Sequence, residues 1–445
     1  MKILDFLRSK VLRNTFWLIF GRVYNKALSF VVGIFCARYL GPGGYGLIDY
    51  AGAYISLFAA ICNLGLNTVL VKDFVDTPEN AGKTLGTTFV LRGISSLFSA
   101  LMIFGIVSIA DRGEPLTITV VCLCSIGILF QIFDSFSFWF QARLQSKFYV
   151  FAYSIAYTVI SLYKWYLLYA QKSVQWFALA TSLEYIIIAI VLFAAYRKNG
   201  GPKLSFSAEK GKELLSKGHG FILSGLMVSI YAATDKLMLK QMMDTSAVGY
   251  YGLAFSVSGI FAFVLSALID SLSPGVMQSH KVGEAPFEKK NRLLYGAVFY
   301  SALLLSAVVC LFSRLIITVF YGEQYVPAIQ PLRIVVWYIA FAYLGVARNA
   351  WIVCKDRQKH LKTIYFLAAL LNVLLNFLLI PRFGPVGAAF ASLVTQLSST
   401  LLLPVFIRPL RHNVRLMLQA ICLQDVLQYY KHKQMIKQSK SKEEN

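Results

Sequence analysis

Apolar runs of 18 to 25 residues recur along the whole chain of 445 residues, and they constrain the fold more than any other feature. A helical run of that length spans the hydrocarbon of a bilayer, which is about 30 Å thick. Inside lipid the backbone must satisfy its own hydrogen bonds, so we expect these runs to be helices. Charged residues make up only 14% of the chain, whereas soluble proteins carry roughly 25%. The sequence therefore predicts an all-α integral membrane protein.

About twelve spans are predicted from the alternation of apolar runs with charged or Gly/Pro breaks. Gly41-Pro42-Gly43-Gly44 separates the first two spans, and Pro381-Arg382-Phe383-Gly384 separates the last two. The longest internal loop, residues 197–218, follows span six and divides the chain into two lobes of six helices each. We expect the first lobe at 1–196, the second at 219–408, and a cytoplasmic amphipathic and basic tail at 409–445. The apolar stripe of residues 413–430 predicts a helix lying in the membrane interface.

Lysine and arginine are distributed unevenly between the two predicted sides of the membrane. If the N-terminus is inside, the inner segments hold 30 of these residues and the outer loops hold 5. Such a bias marks the cytoplasmic face of membrane proteins. The pattern predicts that both termini are cytoplasmic, and it accounts for the net charge of +22 without nucleic-acid binding.

Ionisable residues inside spans are candidate functional residues, because a charge in lipid is costly unless it meets a partner or water. Cations outnumber acids there by eight to four, so the interior is predicted to bind an anion. Arg22 and Lys26 are four residues apart and share one helix face, which we expect to line a wet lumen. Asp49 and Asn63 belong to a polar stripe on span two, which fits a lumen or interhelical hydrogen bonds equally well. Arg348 is deep in span ten, with no partner evident.

The set of candidates contains three further acids and five further bases, of which Lys164, Arg314 and Arg333 lie nearer the outer surface and are predicted to snorkel. Asp235 and Lys236 are adjacent in span seven and point about 100° apart, so they cannot serve one partner; lumen-facing and structural roles stay open for each. Glu184 is near mid-depth in span six and is a candidate for a proton or cation site. Arg92 and Asp134 are predicted to form a structural salt bridge between spans three and four.

Several motifs typical of enzymes are absent from the sequence. There is no GxxxxGK[ST] phosphate loop, no HExxH zinc motif and no GxSxG nucleophile elbow. The predicted outer loops are short, which leaves little room for an external active site. We therefore expect a protein that is not an enzyme and that uses no cofactor or metal.

Four segments resemble the Wzx-type O-antigen and polysaccharide flippases of the MOP (MATE-like) exporter superfamily. They are NTFWLIFGRVYNKALSFVVGIFCARYLGPGGYGLIDYAG, YAATDKLMLKQMMDTSAVGYYGLAF, FYGEQYVPAIQPLRIV and FGPVGAAFASLVTQL. The resemblance covers about residues 10–410 and implies a twelve-helix transporter of two six-helix lobes. The implied cargo is an undecaprenyl-diphosphate-linked oligosaccharide, flipped by alternating access to the periplasmic leaflet of the bacterial inner membrane.

The cationic interior fits this cargo, because guanidinium groups bind phosphate in a bidentate manner. The expected substrate-binding residues are Arg22, Lys26, Asp49, Asn63, Lys236 and Arg348. The expected ion-coupling residues are Glu184 and Asp235. Expected partners are the lipid-linked glycan, membrane lipid and polysaccharide assembly proteins, with no nucleic acid.

Three other functions are alternatives to the flippase. A multidrug cation antiporter of the same superfamily would need acids rather than bases in its lumen. A membrane polysaccharide polymerase or ligase would need a large outer loop. A lipid II flippase stays open, because its cargo also carries a diphosphate.

Overall fold

The computed structural model describes residues 10–260 and 262–423, and every regular element within them is helical. The predicted all-α class is therefore confirmed. The α-helices of the described residues are α1 (Lys10–Asn63), α2 (Asn67–Asp76), α3 (Ala81–Ala110), α4 (Pro115–Ser125), α5 (Ser135–Ala142), α6 (Lys147–Tyr169), α7 (Val174–Lys198), α8 (Ala208–Met242), α9 (Thr245–Ile260), α10 (Ala262–Val282), α11 (Glu284–Leu311), α12 (Ser313–Ile316), α13 (Ile329–Cys354), α14 (Leu361–Leu397), α15 (Leu403–Phe406) and α16 (Arg411–Ile421).

Eight helical stretches of the described residues are long and apolar enough to cross a membrane, and the bent pair Ala208–Ile222 with Gly225–Met242 makes a ninth. The chain is thus a multi-pass membrane protein. The sequence predicts about twelve spans, and the difference has physical reasons. Two of the eight stretches contain a glycine break that divides each of them in two. Helix α6 has 23 residues, but it is rich in tyrosine and contains Lys164, which lowers its mean hydropathy.

The two glycine breaks occur where the sequence predicts turns between spans. Gly41 has φ +66° and ψ 176°, and Gly384 has φ +56° and ψ −133°, so both have left-handed φ values that favour glycine. A proline follows each glycine, at Pro42 and Pro385. Because proline has no N–H to donate, it cannot continue the hydrogen-bond ladder of the preceding helix. Helices α1 and α14 therefore each contain two helical segments rather than one.

The described chain forms two compact units. The first contains the residues up to Tyr250 together with Phe320–Tyr325, and the second contains Tyr251–Val319 and the residues from Val326 onward. Helix α8, which the sequence assigns to the start of the second lobe, belongs to the first unit. The division into lobes 1–196 and 219–408 remains a prediction.

The loop predicted at 197–218 is shorter in the structure, because α7 continues to Lys198 and α8 begins at Ala208. The connecting residues follow the start of α3: the amide of Ser205 donates to the carbonyl of Gly82 at 3.1 Å, and the amide of Ser207 donates to Thr87 Oγ1 at 3.1 Å. Ser207 also caps α8 by accepting from the amide of Lys210 at 3.3 Å. The connection is therefore fixed to the first unit.

The first part of the apolar stripe near the C-terminus forms helix α16, and this helix packs on the core of the second unit. Met417 and Leu416 are buried in the apolar core of the second unit together with residues of α11 and α13. Asn413 Nδ2 donates to the hydroxyl of Tyr295 on α11 at 2.6 Å. Helix α11 thus covers part of its apolar face, and the position of the helix in the membrane interface remains a prediction. The basic end of the tail, from residue 424, lies outside the described residues.

Candidate functional site

Arg22 lines a polar cavity of about 180 Å³ between the first half of α1 and α6, within the first unit. Asn25 on α1 and Tyr149 and Tyr153 on α6 line the same cavity. The side-chain oxygen Oδ1 of Asn25 is buried and has no hydrogen-bond partner among the described residues. Lys26 is exposed, one helical turn beyond Arg22. Neither cation forms an ion pair with a carboxylate in the described part of the chain.

Asp49 and Lys236, two of the predicted substrate-binding residues, are paired with each other. Lys236 Nζ on α8 lies 2.6 Å from Asp49 Oδ1 on the second half of α1, and both side chains are 20% exposed. The sequence separation of 187 residues hides this pairing from sequence reasoning. Each group has a counter-charge within the protein, so this geometry favours a structural role for both.

A second charged cluster joins the end of α8 to α1 and to the residues after α3. Lys240 Nζ lies 2.9 Å from Glu114 Oε1 and 3.5 Å from Asp111 Oδ1. Gln241 Nε2 donates to Asp111 Oδ1 at 2.9 Å and to the hydroxyl of Tyr50 at 2.8 Å, and that hydroxyl donates to Asp111 Oδ2 at 2.8 Å. The hydrogen bond from Lys240 lowers the pKa of the Glu114 carboxyl below its ordinary value.

Asn63 is half-buried at the end of α1, and its main-chain carbonyl accepts a hydrogen bond from the buried guanidinium of Arg92 at 3.3 Å. Arg92 also donates to Asn67 Oδ1 at 2.6 Å. Asp134, the partner predicted for Arg92, instead accepts from the hydroxyl of Tyr153 at 2.8 Å. The predicted salt bridge does not form between these two described residues, and both terminal nitrogens of Arg92 donate to neutral groups instead.

Glu184 lines a second cavity of the first unit, about 130 Å³ in volume, between α1, α6 and α7. Lys164 and Tyr157 of α6 line the same cavity and interact with the Glu184 carboxylate. Ser29 of α1 also faces this space. The cavity thus contains a carboxylate, a lysine and hydroxyl groups, which are groups that can hold and exchange a small cation.

The remaining two candidates are buried. Arg348 is 3% exposed in the second unit, and its Nη1 donates to the carbonyls of Ser399 and Thr400 at 3.2 and 3.5 Å. These carbonyls belong to the π-helical turn Ser398–Leu402, so the geometry favours a structural role for Arg348. Asp235 is 4% exposed on α8. Their roles in substrate binding and ion coupling remain predictions.

Sequence reasoning missed Asn25, Lys164 and Lys240 as members of these clusters. Lys240 could have been noticed, because it is one of only 5 basic residues in the predicted outer loops, and the acids Asp111 and Glu114 are in another outer loop. Opposite charges on the same side of a membrane are candidates for pairing. The cavities that Asn25 and Lys164 line depend on helix rotation, which the sequence pattern does not specify.

A family model described as polysaccharide biosynthesis protein matches residues 11–280. A Shigella flexneri protein with the name "Putative O-antigen transporter" is 20% identical over 411 residues, which are 88% of this chain and 96% of that protein. An uncharacterized membrane protein of Methanocaldococcus jannaschii is 24% identical over 231 residues, or 48% of this chain. That match covers 45% of the archaeal protein, so the chain spans about half the length of this relative.

Two groups of solved structures share the fold. The lipid II flippase MurJ in an inward closed conformation matches with a TM-score of 0.71 at 14% identity, over 94% of this chain and 93% of that chain. An inward-facing multidrug resistance MATE transporter of the MOP superfamily matches with a TM-score of 0.64 at 14% identity, over 88% and 96%. The predicted MATE-like fold is confirmed. Because the family model matches more than half of its residues, the chain belongs to the polysaccharide biosynthesis protein family.

Proposed function

We propose that this protein flips an undecaprenyl-diphosphate-linked oligosaccharide across the bacterial inner membrane, from the cytoplasmic to the periplasmic leaflet. The cargo would be the repeat unit of an O-antigen, a capsule or an exopolysaccharide. The family membership and the name of the Shigella flexneri relative support a transporter for polysaccharide assembly rather than an enzyme. Both termini would be cytoplasmic, in agreement with the distribution of lysine and arginine.

One observation carries this proposal: two cations of α1 remain without a carboxylate partner in the described chain, and one of them lines a polar cavity. Asp49 and Lys236 neutralise each other, whereas Arg22 and Lys26 have no such partner. Two neighbouring like charges in a membrane span are costly unless an anion or water satisfies them. A diphosphate carries the charge and the acceptor oxygens that these groups need.

The rest of the cavity suits the part of the cargo next to the phosphates. The free Oδ1 of Asn25 can accept a hydrogen bond from a sugar hydroxyl, since a buried acceptor without a partner is costly. Tyr149 and Tyr153 offer both an apolar ring face and a hydroxyl to a sugar. In this proposal Arg22 and Lys26 bind the diphosphate while the tyrosines and Asn25 contact the first sugar.

Ion coupling is assigned to the cavity around Glu184. A proton or Na⁺ that binds its carboxylate would weaken the attraction between Glu184 and Lys164 and so change how α6 and α7 are held together. Asp235 is retained as a second candidate because it is a buried acid on α8. The coupled change would alternate access to the binding site between the two sides of the membrane.

A deletion strain tests the proposal. We expect a lipid-linked glycan to accumulate on the cytoplasmic side of the deletion strain, and the wild-type gene to restore its export. An Arg22→Ala/Lys26→Ala variant at normal membrane levels should fail to restore it. The control variant Arg314→Ala/Arg382→Ala removes two exposed cations of the second unit and should restore export fully.

Two results of this experiment would contradict the proposal. Full export by the Arg22→Ala/Lys26→Ala variant would remove the capture role of these residues. Accumulation of lipid II, rather than of a surface-polysaccharide intermediate, would identify a lipid II flippase instead.

A further inference from the structure

An apolar groove of about 330 Å³ runs along the first unit where the first half of α1 meets α6. Its walls include Trp17 and Phe20 of α1 and Phe151 and Ile155 of α6. Phe20, Phe151 and Ile155 are 47%, 48% and 44% exposed, so the groove is open to the surroundings of the helix pair. The rings of Trp17 and Phe151 are 4.9 Å apart between centroids and form a continuous aromatic wall.

The groove lies beside the cavity that Arg22 lines. Val150 of α6 belongs to the lining of both spaces. It faces Gly21, where an added Cβ would lie only 2.5 Å from Val150 Cγ1, so the two helices cross closely at this point. One side of the crossing holds Arg22 and Asn25, and the other side holds the aromatic groove. Only the width of one side chain separates a cationic polar site from an apolar one.

The length of the groove along α6 is close to the hydrocarbon thickness of one leaflet. Its lining on α6 extends from Val150 to Val159, a rise of about 14 Å at 1.5 Å per residue. The hydrocarbon of one leaflet is about half of the 30 Å bilayer core. The N-terminal end of α6 lies at the predicted cytoplasmic side, and a 2.8 Å hydrogen bond between the hydroxyls of Thr158 and Tyr24 joins the two helices along the groove.

We propose that this groove binds the polyprenyl chain of the cargo lipid while Arg22 binds its diphosphate. In a polyprenyl diphosphate the chain is esterified directly to phosphate, so its first isoprene units must lie within a few bonds of the anion. A glycerophospholipid places a glycerol and two chains there instead. The close spacing of the two sites across Val150 therefore matches the polyprenyl carrier rather than bulk lipid. This inference rests on the proposed function, and it adds the position of the lipid chain.

Binding of undecaprenyl diphosphate to the purified full-length protein in phosphatidylcholine nanodiscs tests the inference. Ile155→Trp fills the groove and should weaken this binding about tenfold, because the apolar contact of the chain is lost. Leu162→Trp is the matched control: Leu162 is 65% exposed on the same helix and is not part of the groove lining, so binding should be unchanged. Phe151→Ala removes one wall without adding bulk and should also weaken binding, by a smaller factor.

Two further ligands separate the possible failures. Inorganic diphosphate has no lipid chain, so it tests only the binding of the anion by Arg22 and Lys26. Its affinity should be the same for wild type and Ile155→Trp. Phosphatidic acid reports on ordinary membrane lipid and should bind more weakly than undecaprenyl diphosphate. Two results would contradict the proposal that the groove binds the polyprenyl chain. One is undecaprenyl diphosphate binding that is unchanged in both groove variants, and the other is phosphatidic acid binding as tight as that of undecaprenyl diphosphate. The proposed function would survive that result if Arg22→Ala/Lys26→Ala still abolished binding of inorganic diphosphate.

Discussion

Lys236 Nζ lies 2.6 Å from Asp49 Oδ1 and joins α8 to the second half of α1 within the first unit. The pair lies where α8 packs along α1 in that unit, although the sequence places α8 after the longest predicted loop. The intramembrane cations also differ in how they are satisfied. Lys236 is neutralised by a carboxylate, and Arg92 and Arg348 donate to neutral groups. Arg22 and Lys26 have no carboxylate partner in the described chain, and Arg22 lines a polar cavity, so these two are the candidates for binding an anionic ligand.

The Asp49–Lys236 pair should behave as one unit in a double-mutant cycle. Asp49→Asn leaves an ammonium without its partner and should lower the free energy of unfolding by about 1–3 kcal/mol, less than for a fully buried pair because both groups are partly exposed. The double variant Asp49→Asn/Lys236→Met should recover much of this loss. Thermal unfolding in detergent measures each variant. If the loss of unfolding free energy in the double variant equals the sum of the losses in the two single variants, the two residues do not interact.

The Lys240 cluster predicts a specific dependence on pH. Lys240 lowers the pKa of Glu114, so the unfolded chain binds the proton more readily than the folded one. The folded protein is therefore stabilised at pH values above about 4.3, the ordinary pKa of a glutamate in an unfolded chain. This stabilisation is lost as the pH falls through the lower pKa that Glu114 has in the folded protein. Wild type should therefore unfold at a higher temperature than Glu114→Gln at pH 7, and this difference should disappear near pH 3.

Glu79→Gln is the matched control for that experiment, because Glu79 is an exposed acid with no ion pair in the described chain. It should unfold at the wild-type temperature at every pH. A difference between wild type and Glu114→Gln that persists at low pH would contradict the role of the Lys240 hydrogen bond.

Gly46 is a position where a side chain does not fit. An added Cβ would lie 1.8 Å from the main-chain oxygen of Thr245 and 2.6 Å from the amide nitrogen of Gly249. Gly46→Ala should therefore destabilise the protein by roughly 1–3 kcal/mol, since backbone atoms cannot move aside without strain. Gly52→Ala on the same helix meets nothing within 4 Å and should leave the unfolding temperature unchanged or slightly higher. Equal unfolding temperatures for the two variants would contradict this close packing.

Glu184→Gln should uncouple transport from the ion gradient. The neutral amide cannot gain or lose a proton, so flipping of the lipid-linked glycan in proteoliposomes should no longer respond to an imposed pH or Na⁺ gradient. Glu79→Gln should keep the wild-type response. A Glu184→Gln variant that responds normally would assign the coupling to another acid, with Asp235 as the next candidate to substitute.

The sequence predicts the helical class and the turns at Gly41 and Gly384, because apolar length and Gly-Pro chemistry are local properties. It does not predict which side chains meet, because contacts such as Asp49–Lys236 join residues far apart in the chain. Arg348 illustrates the same limit: its depth is evident from the sequence, but its carbonyl partners arise from a π-helical turn that no local pattern marks. The amphipathic stripe of α16 predicts one apolar face, but only the structure shows that this face packs on the core of the second unit.

The central claim concerns Arg22 and Lys26, and binding of undecaprenyl diphosphate to the purified protein tests it most directly. Each lost charge-assisted contact is worth about 1.5–3 kcal/mol, so Arg22→Gln/Lys26→Gln should weaken binding by at least about 100-fold. The control Arg314→Gln/Arg382→Gln should bind like wild type. Equal weakening by both double variants would indicate a general effect of positive charge, and wild-type affinity in Arg22→Gln/Lys26→Gln would contradict the account.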